Sequence, residues 1–258
     1  MQYQLAPTVA DLFCGAGGFS AGFHAAGYRA VLGIDYSEPA SRTYLHNFER
    51  LQPGFAPLML GGPEHGDLTR LDLAKIGRTI SKRVGRPADG PGESGIDVLV
   101  GGPPCQGFSR IGRAKIQSLT GTNIADDPRN TLYQRFIAAA NLWKPRAVVM
   151  ENVPAMRSVQ GTDVAEIMTE DLMDCGYRVG FAILNAAWFG VPQLRERLFV
   201  IGIREDIDRD PVAPPRTHEV DLANNPNYRE PDHTASANMA LPFPAQPRVA
   251  LPLKVDAC

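Results

Sequence analysis

Apolar runs typical of β-strands alternate along this chain with stretches of helical periodicity. This alternation predicts a doubly wound α/β fold, in which a parallel sheet carries helices on its faces. The predicted strands cover residues 9–13, 30–34, 97–100, 147–150, 180–184 and 198–203. The predicted helices cover residues 18–26, 39–47, 72–82, 131–143 and 164–175.

The character of the sequence changes after residue 205. Prolines recur up to position 252, and no apolar period persists. A segment of this kind cannot bury enough apolar surface to form a core of its own. We therefore predict one folded domain over residues 1–205 and a proline-rich tail over residues 206–258.

Composition excludes several classes of protein. The four cysteines are scattered and the five histidines are dispersed, so neither a disulfide framework nor a metal site is expected. Apolar runs are too short to span a membrane, and no signal peptide is recognisable at the N-terminus. We expect a soluble cytoplasmic protein. Its net charge of −2 provides no overall attraction to nucleic acid.

A glycine-rich turn, Gly15-Ala16-Gly17-Gly18, joins the first predicted strand to a helix. Glycines let a ligand approach the backbone beside the positive end of the helix. Asp35 closes the second strand, where an acid can bind ribose hydroxyls, and Asp67 is expected at the end of another strand. The alternative is a tight structural turn with solvated or helix-capping acids. Because the P-loop lysine is absent and the glycines are more closely spaced than in GxGxxG, S-adenosylmethionine fits better than a dinucleotide.

A single cysteine follows a diproline turn after the apolar strand at residues 96–100. In Gly102-Pro103-Pro104-Cys105 the two prolines fix the backbone before the thiol. A thiol presented on a stiff turn can act as a nucleophile once it is ionised. The alternative is a buried cysteine in an ordinary strand-to-loop turn.

One acid and two arginines complete the candidate chemistry. Glu151 directly follows the predicted strand at residues 147–150, and Arg195 and Arg197 precede the last predicted strand. Attack by a thiolate on an electron-poor ring needs charge compensation on that ring. Protonated Glu151 can donate to a ring nitrogen, and an arginine can bind a ring carbonyl and hold the carboxylate. A structural ion pair and a surface arginine are the alternatives.

In these segments the chain resembles the C5-cytosine DNA methyltransferases, which use S-adenosylmethionine. The order and approximate spacing of the motifs follow that family through residue 203. The matching segments are residues 11–18, Asp35, residues 66–67, 103–106, 129–132, 151–153 and 193–197. The resemblance implies the Rossmann-like fold of S-adenosylmethionine-dependent methyltransferases, with mostly parallel strands and one reversed edge strand.

The resemblance also implies a role for each matching residue at the reacting base. Cys105 would add to C6 of a flipped-out cytosine, and Glu151 would bind N3 and the exocyclic amine. Arg197 would contact O2, with Arg195 close by. Asn152 would brace the diproline turn, and the Pro104 carbonyl would touch the exocyclic amine. The segment from Ser109 to Asn130 would close over the DNA.

The cofactor site implied by the resemblance lies around the glycine turn. Phe13 and Tyr36 would flank the adenine, Asp35 would bind the ribose and Asp67 the adenine amine. The other residues assigned to the cofactor are Gly15, Ala16, Gly17, Gly18, Leu68, Pro103 and Leu132.

The family pattern continues with a target-recognition region and two further motifs, which are not recognisable in this sequence. The resemblance therefore implies a catalytic domain over residues 1–205 that acts on double-stranded DNA. Because these motifs are missing, we hypothesise that a second protein subunit supplies target recognition. Residues 206–258 would begin the connection to the recognition region. A truncated piece of a longer enzyme, an inactive fragment, a non-catalytic regulatory relative and an RNA methyltransferase remain open. An NAD-type dehydrogenase fits the compressed glycine turn less well.

Overall fold

A computed structural model of the chain describes residues 6–86, 94–104, 130–158 and 163–218. Two 3₁₀ turns, Pro154–Ser158 and Ala186–Phe189, accompany the strands and α-helices. These elements are, in chain order, β1 (Thr8–Leu12), α1 (Gly18–Ala25), β2 (Arg29–Asp35), α2 (Glu38–Leu51), β3 (Leu58–Gly61), α3 (Gly62–His65), α4 (Leu73–Val84), β4 (Val98–Gly101), α5 (Asn130–Trp143), β5 (Ala147–Asn152), α6 (Val164–Asp174), β6 (Tyr177–Asn185) and β7 (Glu196–Arg204).

The described strands form one sheet in the order β3-β2-β1-β4-β5-β7-β6. Strands β1 to β5 pair in parallel, which confirms the predicted doubly wound α/β fold. The strand order reverses between β1 and β4, so the loops after these two strands open onto a shared crevice. The cofactor turn follows β1 and the diproline turn follows β4. The topology therefore places the two candidate motifs side by side.

The described sheet contains one reversed strand, as predicted, but the predicted position of that strand at the edge is wrong. β7 runs antiparallel to both neighbours, but it lies between β5 and β6, and β6 forms the edge. The connection from β5 through α6 leads to β6, which lies two strands away from β5 in the sheet. After β6 the chain turns back, and β7 forms a hairpin with β6 and pairs with β5 on its other side.

Strand β3 was absent from the predicted elements, and the expected position of Asp67 is also wrong. The strand has only four residues and ends at Gly61. Pro63 then lies in the first turn of α3, where its fixed φ favours helix. Asp67 follows this helix rather than a strand.

Two apolar clusters pack on opposite faces of the sheet. The larger cluster joins the sheet to α4, α5 and α6 through residues such as Ile80, Phe136 and Leu172. The smaller cluster centres on Tyr44 and Phe48 of α2, whose rings stack with centroids 4.5 Å apart. On this second face, α1 and α2 pack against β1, β2 and β3. The β5-β7-β6 half is therefore less completely covered on that face.

The described part of the tail lies against the 3₁₀ turn after β6. The Arg216 guanidinium stacks 3.5 Å from the centroid of the Trp188 ring, and the backbone N–H groups of Thr217 and His218 donate to the Trp188 carbonyl. Residues 206–218 contain neither helix nor strand. The boundary at residue 205 stays a prediction. None of the helices in the described ranges has the length and apolar character needed to cross a membrane.

Candidate active site

The glycine turn after β1 has one packed side and one open side. Gly17 has φ +96°, and a Cβ there would lie 2.8 Å from Cδ2 of Tyr44, so no side chain fits. A Cβ at Gly15 or Gly18 would meet nothing within 4 Å, and Ala16 is exposed. The open side is therefore a backbone cradle into which a ligand can reach.

Phe13, at the start of this turn, has a left-handed backbone with φ +62°. Positive φ is uncommon for a residue with a side chain and tends to cluster at functional sites. The Phe13 ring is half-buried and packs against the larger cluster.

Asp35 fixes the turn from the end of β2. Its Oδ2 accepts a hydrogen bond from the Gly15 N–H at 2.8 Å, and its Oδ1 accepts one from the Ser37 N–H at 2.7 Å. The neighbouring Tyr36 side chain is 62% exposed, which is unusual for a large aromatic residue. The structure thus places the Asp35 carboxylate against the glycine turn, and exposed Tyr36 follows it in the chain.

Asp67 and Leu68 form a tight turn after α3. Oδ1 of Asp67 accepts from the N–H and hydroxyl of Thr69, and Oδ2 lies 3.2 Å from Nε of Arg70. The Leu68 side chain lies in the core, and its carbonyl accepts from Nε of Arg135. Of Leu68, only the backbone can therefore face a ligand. Leu132, also assigned to the cofactor, is half-buried and packs against the larger cluster.

Asp11 lies in the matching segment 11–18, but the sequence assigned no role to it. Its carboxylate is 1% exposed, and Oδ2 accepts from the N–H and hydroxyl of Ser20 in α1. Burial is the main cause that raises the pKa of Asp11 to about 7. An acid inside the apolar run Thr8–Leu12 was the available sequence signal.

Cys14 competes with Cys105 for the role of nucleophile. Its side chain is buried, and desolvation, together with the charges of Asp11 and Asp35, raises the pKa of the thiol far above neutrality. The thiol therefore stays protonated at neutral pH, which argues against Cys14 as the reactive cysteine.

The acid and arginines predicted from sequence lie together at the end of β5. Oε1 of Glu151 is 2.9 Å from Nε of Arg197 and 3.9 Å from Nη2 of Arg195. Glu151 pairs with Phe199 across the antiparallel ladder, so Arg197, two residues from Phe199, projects from the same face. Glu151 and Arg197 are 24% exposed and Arg195 is 48% exposed. The arrangement leaves all three side chains accessible to a ligand.

The diproline turn lies beside Glu151. Nδ2 of buried Asn152 donates to the Pro103 carbonyl at 3.0 Å, while its Oδ1 accepts from the Val153 N–H. A Cβ added to Gly102 would lie 3.3 Å from Oε2 of Glu151. Pro104 is exposed. Cys105 lies outside the described residues, as does most of the segment expected to close over DNA.

An apolar groove of about 700 Å³ lies between α1 and the β5-β7-β6 half of the sheet. We call it the α1 groove. Its lining includes Phe19 and Phe23 of α1 and Val149, Phe199 and Ile201 of the sheet, with Pro214 of the tail beside them. Glu151, Arg195 and Arg197 also line it. The α1 groove is therefore continuous with the acid–arginine cluster.

Comparison with known families decides among the chemistries that this geometry allows. The family model described as C-5 cytosine-specific DNA methylase matches residues 8–240. The chain belongs to this family. It is similar to the type II methyltransferase M1.HphI of Haemophilus parahaemolyticus, with 37% identity over 207 residues that cover 79% of this chain and 47% of the relative. The chain thus spans about half the length of that relative.

Two further comparisons concern length and fold. The type II methyltransferase M.AquIA of Picosynechococcus is 31% identical over 95% of this chain and 93% of its own length. A solved structure of an E. coli prophage-encoded protein, described as a DNA modification methyltransferase, superimposes with a TM-score of 0.56 and 28% identity. The superposition covers 78% of this chain and 47% of that chain.

Proposed function

We propose that this chain transfers a methyl group from S-adenosylmethionine to C5 of cytosine in double-stranded DNA. One observation carries the proposal. Glu151, held by Arg197 at 2.9 Å, lies beside the diproline turn that leads to Cys105, at the sheet edge that also carries the glycine turn. The family match to residues 8–240 supports the same reaction.

The glycine turn and the acids around it fit an adenosine that carries a cationic amino-acid tail. The open backbone at Gly15 and Gly18 would hold the tail, and exposed Tyr36 would stack on the adenine. Asp35 would bind the ribose hydroxyls and Asp67 the adenine amine. The orphaned, buried Oδ1 of Asp11 suits a site for a cation. When bound, S-adenosylmethionine supplies an electrophilic methyl group.

The acid–arginine cluster and Cys105 would activate the cytosine ring. In the proposed reaction the Cys105 thiolate forms a bond to C6, and the ring electrons move towards N3, where Glu151 supplies a proton. Arg197 would bind O2 and hold the carboxylate. C5 then becomes nucleophilic. After methylation, N3 returns its proton to Glu151, a base removes the C5 proton, the C5–C6 double bond re-forms and the thiolate leaves. Because C6 is inaccessible in a duplex, the cytosine must leave the stack.

We also propose that a second polypeptide provides target recognition and covers the α1 groove. The groove is lined mostly by apolar residues and is open among the described residues, as expected of a surface that a partner buries. M1.HphI has about twice the length that this chain matches, whereas M.AquIA is matched over nearly all of its length. The tail borders the groove at Pro214 and lies against Trp188 nearby.

The test supplies purified chain, in excess over nucleic acid, with methyl-labelled S-adenosylmethionine and matched DNA and RNA duplexes. The expected product is 5-methylcytosine in DNA, formed slowly and with little transfer to RNA. Preferential transfer to RNA would contradict the DNA proposal. Rapid transfer by the chain alone would contradict the need for a second polypeptide. Binding of both DNA and cofactor without any transfer under these conditions would favour a regulatory relative.

A further inference from the structure

Strand β1 carries a carboxylate into the core beside the glycine turn. Helix α1 begins at Gly18, and its N-cap residue, Gly17, has no side chain with which to cap the helix. Asp11 supplies that function from the neighbouring strand, because its Oδ2 accepts from the N–H of Ser20 at 3.2 Å and from the Ser20 hydroxyl at 2.8 Å. Asp11 thus positions the start of α1, and with it the open cradle.

The second oxygen of Asp11 is not satisfied by the described residues. Oδ1 is buried and accepts no hydrogen bond there. The titratable groups that bear on Asp11 are Asp35 from β2, Cys14 in the turn and Tyr44 from α2. The Tyr44 hydroxyl reaches it indirectly, by donating to Oγ of Ser20 at 3.0 Å. None of these groups is a cation.

A buried, half-satisfied carboxylate without a cation is unfavourable in its charged form. Burial and the nearby charge of Asp35 accordingly raise the pKa of Asp11 to about 7. Near neutral pH the free chain therefore contains a mixture of protonated and ionised Asp11. A cation bound at the turn would favour the ionised form.

We propose that Asp11 is a positioning residue that releases its proton to solvent when the cationic cofactor binds at the glycine turn. The inference rests on the proposed function, because it takes S-adenosylmethionine as the ligand. The cofactor carries a sulfonium, an ammonium and a carboxylate group, and its net positive charge offsets the desolvation of the Asp11 carboxylate. Ionised Asp11 accepts more strongly from Ser20, so binding also tightens the cap of α1.

Calorimetry tests directly whether cofactor binding releases a proton. S-adenosylmethionine is titrated into the full chain at pH 7 in two buffers that differ in ionisation enthalpy. The expected result is a net release of protons when the cofactor binds. The release should fall at pH 8.5, where Asp11 is already ionised, and should be absent for adenosine, which carries no cation. A binding enthalpy that is the same in both buffers at pH 7 would overturn the proposal.

Two variants separate charge from hydrogen bonding. Asp11→Asn should bind the cofactor without releasing a proton, because the amide does not titrate. Ser20→Ala should still release protons on cofactor binding, because the Asp11 carboxylate remains. Equal release by the wild-type chain and Asp11→Asn would contradict the assignment to Asp11.

Thermal unfolding without cofactor provides a readout that does not depend on the proposed function. The folded pKa of Asp11 lies above its unfolded value of 3.8, so the folded chain binds the extra proton between about pH 4 and 7. Its contribution to stability therefore falls as pH rises through that window. Relative to Asp11→Asn, the wild-type chain should lose melting temperature from pH 5 to pH 8, and parallel curves would contradict a titrating Asp11. A chain that shows this titration but binds no S-adenosylmethionine would refute the proposed cofactor instead.

Discussion

The glycine turn and the acid–arginine cluster lie at the same edge of the sheet, yet their acids differ in their partners. Among the described residues, the acids at the turn have only uncharged hydrogen-bond donors, whereas the acid of the cluster has two arginines. At the turn, Asp11 and Asp35 accept hydrogen bonds from backbone and hydroxyl groups, and within the described ranges no ion pair joins either acid to a lysine or arginine. At the cluster, Glu151 has Arg197 at 2.9 Å and Arg195 at 3.9 Å.

This difference shows how one residue type can serve two kinds of ligand. Acids without cations are prepared for a ligand that brings positive charge. An acid between arginines offers both donors and an acceptor, which suits an uncharged ring with a carbonyl and ring nitrogens. This difference supports our proposal that the cofactor binds at the turn and the base at the cluster. The following variants test that division.

The largest expected effect comes from Cys105→Ser. Loss of the nucleophile should reduce methyl transfer by about 10⁴-fold or more, because the covalent step has no substitute. Cofactor affinity should stay unchanged, since Cys105 belongs to the base end. Incorporation of labelled methyl groups measures the first quantity and calorimetry the second. Cys175→Ser, at a buried thiol at the C-terminal end of α6, is the matched control. Retained transfer in Cys105→Ser would refute the nucleophile assignment.

Glu151→Gln should reduce transfer by about 10²- to 10⁴-fold, as expected for loss of a general acid. The amide keeps the shape of the carboxylate but cannot deliver its proton to N3. Affinity for S-adenosylmethionine should not change. Single-turnover rates with excess enzyme give the effect, and Glu49→Gln, at an exposed acid of α2, is the control. A loss of cofactor affinity that accounts for the whole effect would place Glu151 at the wrong end.

The two arginines should differ in effect. Arg197→Lys should reduce transfer by about 10²-fold, because lysine cannot reproduce the guanidinium contact with Glu151 while also binding the ring oxygen. Arg195→Lys should have a smaller effect, since Arg195 is farther from Glu151 and more exposed. Parallel single-turnover assays compare the pair. The opposite order would show that Arg195 holds the base.

Asp35→Asn should have the smallest effect and should act on the cofactor alone. Asparagine can replace only one of the two acceptor oxygens that hold Gly15 and Ser37, which costs about 1–2 kcal/mol, or about tenfold in affinity. Calorimetric titration measures the change, with Glu38→Gln, at an exposed acid in the first turn of α2, as the control. Unchanged affinity together with slower transfer would break the proposed division between the two ends.

The sequence predicted most of the fold because the periodicity of these elements is strong. It did not locate β3, since four residues are too few to show alternation, nor the insertion of β7 between β5 and β6, which depends on tertiary pairing. The ion pair between Glu151 and Arg197 could be anticipated because both residues lie near strand ends. Asp11 could not be assigned, because its role depends on a contact with Ser20 across a turn and on a burial that only the packed fold defines.

Mass spectrometry of a trapped complex tests the proposed reaction most directly. The full chain, in excess, is incubated with S-adenosylmethionine and duplex DNA containing 5-fluorocytosine, where fluorine at C5 blocks the final elimination. The expected product is a covalent complex in which the modified base carries the transferred methyl group and is joined to Cys105. A cross-link at Cys14 or Cys175, or methylated cytosine formed without any Cys105 adduct, would contradict the proposed mechanism.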